Sequence, residues 1–155
     1  MNEQGQDTTR NQGAKRPPST LRLTLPLPPS INEQYATVDG HRVSTVVARR
    51  FKQQVRDTFR TLERQGLVHD ELRKSFSQHY LALSLDFYFA TPLKRDLDGG
   101  LKITQDAICD ALGLNDNRVV DIHLSKHIDP LHPHLYVEIE AISDWQFDKE
   151  YVLLS

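Results

Sequence analysis

A chain of 155 residues, 38% hydrophobic and 26% charged, has the length of one domain and enough apolar material for a core. Its 19 Lys and Arg against 21 Asp and Glu leave a net charge of -2, so only the distribution of charge can argue for a polyanionic partner. No apolar run nears the roughly 20 residues that span a bilayer, Met1 to Arg16 lacks an apolar signal core, and Cys109 has no cysteine to pair with; a cytoplasmic protein with no membrane segment is expected.

Residues 1–20 are polar and read as a disordered tail. Leu21, Leu23 and Leu25 alternate with Arg22 and Thr24, predicting a half-buried strand that Pro26 ends. Pro28-Pro29-Ser30-Ile31-Asn32 reads as a rigid extended turn, and Gly40 as a loose connection. From Ser44 to Gln65 the period is helical, with Val47, Phe51, Val55, Thr58 and Leu62 on one face. Arg49, Lys52, Arg56, Arg60 and Arg64 fall opposite them; between His41 and Gln65 seven Arg or Lys meet only Asp57 and Glu63. A face kept for solubility usually mixes signs, so this stripe is read as tracking phosphates, with plain solvation as the alternative.

Gly66 closes that helix, and a polar stretch leads to Leu81, Leu83, Leu85, Phe87 and Phe89, alternating with Tyr80, Ala82, Ser84, Asp86 and Tyr88. This is the clearest strand in the chain and is expected at the centre of a sheet. A helix follows from Leu101 to Leu112, with Gly113 as its C′ residue, Leu114 as the apolar contact beyond it, and Cys109 as a buried thiol. Val120, Ile122 and Leu124 predict a third strand; Leu135, Val137, Ile139 and Ala141 predict a fourth, paired with the third across Asp129-Pro130. The fold class is α+β: a mixed β-sheet with two principal helices in the order β-α-β-α-β-β, spanning residues 21–142. Residues 143–155 form an extension whose Trp145, Phe147 and Tyr151 are apolar enough to dock on a surface.

Between the central strand and its helix lies Arg95-Asp96-Leu97-Asp98-Gly99-Gly100-Leu101-Lys102. In an extended segment Asp96 and Asp98 point to one side, and two such oxygen ligands suit Mg²⁺. Asp98 also has the character of a helix N-cap, with Lys102 one turn along and able to reach the same site. The same residues fit a loop with a capping aspartate and a solvated lysine, and spacing alone does not separate the two readings. A calcium loop is excluded, because Gly100 and Ala107 stand where oxygen ligands are needed; His123, His127, His132 and His134 match no zinc spacing.

Taken together, these pieces resemble the RusA family of Holliday junction resolvases. Pro28-Pro29-Ser30-Ile31-Asn32 with Tyr35 resembles its PPS-x-N-x-x-Y opening, and Arg95-Asp96-Leu97-Asp98 with Lys102 its R-D-x-D-N-x-x-K signature. Asp110-Ala111-Leu112 followed by Asn115-Asp116-Asn117-Arg118-Val119 resembles D-A-L…D-D-x-Q-V, with a helix about a turn longer. Gly99 departs from the family's Asn, and Asn115 from the first Asp of its pair. The resemblance implies that Asp96, Asp98 and Asp116 bind Mg²⁺ and that Lys102 is a catalytic cation. It further implies a homodimer that cuts four-way DNA junctions, a nucleoid-associated or phage-encoded activity. Asn32, Lys94, Arg95 and the Arg49 to Arg64 stripe are expected to contact DNA. A non-cutting binder of branched DNA and a nuclease for flaps or forks are the alternatives. Because a helix of this length rises about 18 Å, Asp116 is expected to lie far from Asp98 in its own chain and to join a partner's site.

Overall fold

The computed structural model describes residues 19–93 and 95–144; the N-terminal tail through residue 18, Lys94, and the extension with Trp145, Phe147 and Tyr151 lie outside the described residues. In chain order the elements are β1 (Thr20–Leu25), α1 (Ile31–Gln34), β2 (Tyr35–Val38), β3 (His41–Ser44), α2 (Val46–Arg64), α3 (Asp70–Gln78), β4 (Tyr80–Phe89), α4 (Leu101–Leu112), a 3₁₀ turn (Asp116–Arg118), β5 (Val119–Ile128) and β6 (His134–Ile142). The fold is α+β, with α2 and α4 as its two longest helices.

β1, β6, β4 and β5 form one mixed sheet in that order. β4 runs antiparallel to β6 and parallel to β5, and α4 supplies the crossover that a parallel pair requires. Every second residue of β4, from Leu81 to Phe89, is buried, which is the alternation of a strand with one face on the core. Those side chains meet Phe51, Val55 and Phe59 of α2, Phe76 of α3, and Ile103, Ala107 and Ile108 of α4 in one cluster. Gly113 takes a left-handed φ of 69° at the end of α4, and Leu114 N donates to Cys109 O at 2.8 Å, the closure expected of a helix-ending glycine. Burial pushes the Cys109 thiol up to about 11, with Asp116, Asp106 and Asp110 adding to the rise, so it stays protonated near neutrality.

Four local expectations are corrected. β6 pairs with β4 and β1, not with β5, because the long apolar β4 is the best partner for both of its neighbours and leaves β5 at the edge. The buried face of α2 is Ala48, Phe51, Val55 and Phe59; Val47 is 52% exposed, since the phenyl ring of Phe59 outweighs Thr58 and turns the stripe by one residue. The polar stretch after Gly66 contains α3, which buries only Leu72 and Phe76, too few for a periodic signal. Its Arg73 donates to Ala111 O at 3.2 Å and pairs with Glu63, tying the three helices together. Finally, the segment around Gly40 is a hairpin: Asp39 and Gly40 both have positive φ, the geometry of a type I′ turn.

Because Phe76 is completely buried, Phe76→Ala is expected to cost about 3–5 kcal/mol. Urea denaturation checks it: the midpoint should fall while the slope is unchanged.

Candidate active site

β4 ends at Phe89, and the chain crosses an irregular stretch to Asp96 before turning through Leu97–Gly100 into α4. Gly99 N donates to Asp96 O at 3.3 Å and Leu101 N to Asp98 O at 3.1 Å. The acidic pair therefore sits on a turn rather than an extended strand end. Asp98 is not the cap; that position belongs to Gly100, with no side-chain cap hydrogen bond. Both carboxylates are exposed, and among the described residues neither has a hydrogen-bond or ion-pair partner.

What fixes this turn comes from elsewhere in the chain. The Gln34 side chain, 3% exposed, donates to Pro29 O and to Gly99 O, each at 3.0 Å. Arg95 is half-buried, donates to Pro28 O, and lies over the Phe89 ring at 5.3 Å. Burial draws its pKa below the usual arginine value against the opposing pull of Glu33. Lys126 Nζ, from β5, donates to Arg95 O at 2.7 Å and to Pro92 O at 3.0 Å. Gly100 packs on the Pro28 ring so closely that a Cβ there would lie 2.4 Å from Pro28 Cγ. The Pro28-Pro29 stretch and the acidic turn, far apart in sequence, thus form one braced unit.

Lys102, in the first turn of α4, pairs with Asp116 of the expected set and with Asp106, which was not in it. Its Nζ donates to Asp106 Oδ1 at 2.8 Å and to Asp116 Oδ2 at 2.9 Å. These two bonds, Asp106 first, hold its pKa above the ordinary lysine value. The chain reverses after Gly113 and returns along the helix: Gln105 Nε2 reaches Asp116 O at 3.4 Å, and Asn115 caps the 3₁₀ turn at Asn117 N. Arg118 anchors the far side of the turn by donating to Ser77 O at 3.0 Å and His79 O at 2.8 Å. The reversal after Gly113 brings the Asp116 carboxylate alongside Lys102 of the same chain.

Among the described residues no three of His, Cys, Asp and Glu converge as a cation site, so Asp96, Asp98 and Asp116 are not preassembled. Of the expected DNA contacts, Asn32 is exposed on α1, whose first residue lies beside the turn: a Cβ at Gly99 would be 4.0 Å from Ile31 N. Arg49, Arg56, Arg60 and Arg64 are exposed along α2 and bond locally, to Ser44 O, Gln53, Asp57 and Thr61 respectively. Arg56 and Arg60 line a groove of about 250 Å³ with Asp110 and Ala111 of α4. Lys52 and Asp106 line a smaller cleft, about 60 Å³, that also includes Gln34 and Tyr35. Three residues of the site escaped the sequence reading. Asp106 carried a signal, standing four positions after Lys102; Gln34 and Lys126 act through backbone carbonyls and carried none.

The family described as Endodeoxyribonuclease RusA matches this chain over residues 26–140. The chain belongs to the RusA family. That match takes in the Pro28-Pro29 stretch, the acidic turn, α4 and nearly all of β6, and the RusA enzymes are endodeoxyribonucleases that resolve Holliday junctions. Among curated proteins nothing matches the chain. No described helix is long and apolar enough to cross a membrane.

The two glycines of the RusA turn are expected to behave oppositely. A Cβ at Gly99 meets Asp96 O at 3.5 Å and Ile31 N at 4.0 Å, both ordinary contacts, whereas one at Gly100 collides with a proline ring that has no free end to move. Thermal unfolding should show Gly99→Asn close to wild type and Gly100→Ala destabilised by about 1–3 kcal/mol.

Proposed function

We propose that this chain is a Mg²⁺-dependent endonuclease that resolves four-way DNA junctions as a homodimer. The observation that carries the reading is the bracing of the exposed Asp96–Asp98 pair by Gln34, Lys126 and the packed Pro28, within a chain of the RusA family. Rigid support of this kind is what a catalytic loop needs. The donor chemistry fits a hard dication: all the candidate ligands are carboxylates, and the Lys102 ammonium already serves as the positive charge between Asp106 and Asp116.

On this reading Asp96, Asp98 and Asp116 would hold the ion, which would acidify a water and offset charge on the phosphate. Lys102 stabilises the charge that develops on the phosphate or on the leaving oxygen. The acidic turn repels a polyanion, so cationic residues must hold the substrate: the Arg49 to Arg64 stripe with Lys52, and Lys94, which precedes Arg95 in the sequence. Arg95, with its guanidinium engaged by Pro28 O, acts chiefly by holding the loop. Asn32 supplies a neutral hydrogen-bonding group near the acidic turn. Two copies of the site would make the paired cuts that a four-way junction requires.

Purified protein incubated with four-way junctions, flaps, forks and linear duplex, with Mg²⁺ or with chelator, tests the reading. The expected result is Mg²⁺-dependent cleavage of the four-way junction in preference to the other substrates. Asp96→Asn or Asp98→Asn should lower the rate by at least about a hundredfold while junction binding survives or tightens, because each change removes a ligand and some repulsion of phosphate. Wild-type cleavage by either variant would show that the active site lies elsewhere; binding without any cleavage by the wild-type protein would make it a non-cutting binder.

Arg56→Glu combined with Arg60→Glu should weaken binding to every DNA shape alike and reduce the slope of log K against log salt by about 1 per lost phosphate contact. An unchanged dissociation constant and slope would leave the stripe as solvated surface.

A further inference from the structure

We propose that Asp106 is a positioning residue for Lys102, keeping its ammonium at the site when Asp116 is taken up by the metal ion. The inference rests on the reading of Asp116 as a metal ligand and Lys102 as the catalytic cation. Lys102 sits between two carboxylates at nearly equal distances, 2.8 Å to Asp106 and 2.9 Å to Asp116, and its side chain is 64% exposed. The two acceptors differ in how they are held. Asp106 is four residues along the same helix, where it faces Lys102 whatever the loops do. Asp116 is on a separate turn beyond the end of α4.

A dication binding Asp116 competes with Lys102 for the charge of that carboxylate, which Lys102 engages through Oδ2. With Asp106 present, the ammonium gives up one of its two ion pairs and stays within reach of the phosphate. Without Asp106 it has no second acceptor, so it competes harder for Asp116, and once displaced it is a free, long side chain in water. Asp106 would therefore support both ion binding and the placement of the cation. Asp110, the next aspartate on the helix, is exposed, and the groove it lines lies with Arg56 and Arg60 instead.

Titration of the DNA-free protein with Mn²⁺, a hard oxygen-preferring dication followed by electron paramagnetic resonance, tests this apart from cleavage. Asp106→Asn should weaken Mn²⁺ binding by roughly two- to fivefold, the worth of one exposed ion pair. Asp106→Glu, which keeps a carboxylate four residues from Lys102, should restore it. In a Lys102→Gln background the same Asp106→Asn change should have no effect, because there is no ammonium left to hold. An undiminished effect in that background would make Asp106 a direct ligand and overturn the proposal, as would unchanged Mn²⁺ binding in Asp106→Asn alone. Asp116→Asn separates the two levels of inference. If it leaves Mn²⁺ binding intact, the metal-ligand reading falls and this proposal with it. If it abolishes binding while Asp106→Asn does nothing, only this proposal falls.

Discussion

The side-chain amide of Gln34 bridges two backbone carbonyls, those of Pro29 and Gly99, in a position almost closed to solvent. A buried amide left without acceptors costs about 1–3 kcal/mol, so this geometry is favoured when both carbonyls are in place. One belongs to the proline-rich stretch after β1 and the other to the acidic turn before α4. The geometry of the turn that carries Asp96 and Asp98 is thus tied to residues sixty-five positions earlier in the chain. Arg95 on Pro28 O and Lys126 on Arg95 O extend the same device, with cationic side chains holding the backbone of an acidic loop. Two of these positive charges also sit over Phe89, 5.3 and 5.6 Å from the ring centre, at the end of the central strand.

Around this unit charge is divided by role. Cations that bind carbonyl groups from within the fold, such as Arg95, Arg118 and Lys126, position the loops. Cations on the outer face of α2 bond near neighbours, three residues away for Arg56, Arg60 and Arg64 and five for Arg49, and remain available to an incoming polyanion. Lys102 belongs to neither group, being shared between two carboxylates. A net charge near zero is therefore compatible with a nucleic-acid substrate, because the acid is concentrated at the turn and along α4 while the base lies along α2.

The sequence was most legible where a side-chain pattern is repeated. The alternation from Leu81 to Phe89 placed the central strand, and Gly113 with Leu114 placed the end of α4. Reading was least successful where long-range partners decide. Val120, Ile122 and Leu124 and the Leu135 to Ala141 run both look like strands, and nothing local says that the second prefers Leu81–Phe89 to its predecessor in the chain. Asp39-Gly40 was a strong hairpin signal lost among exposed strands that carry no apolar alternation. At the site, Asp96 and Asp98 were recognisable from their spacing and their family resemblance. The side chains that hold them were not, since an amide or ammonium bonded to a backbone carbonyl leaves no mark in sequence. The ion pair of Asp116 with Lys102 was not read, because it depends on how the chain reverses after Gly113.

The pairing of β1 with β6 joins nearly the first described residues to the last, with Leu23 opposite Val137. Ribosomal synthesis delivers β1 early, yet its neighbour among the described strands arrives after every other described element has been made. Until then β1 and one edge of β4 both present unpaired backbone, and the hydrophobic face beneath them is closed from one side only. Pairings so distant in sequence are slow to form, and open edges invite association with other chains. In chain order α2, β4 and α4 are all made before the strand that lies between β1 and β4. β6 is therefore the strand through which β1 joins the rest of the sheet, and any truncation that removes it leaves β1 without the partner it has here.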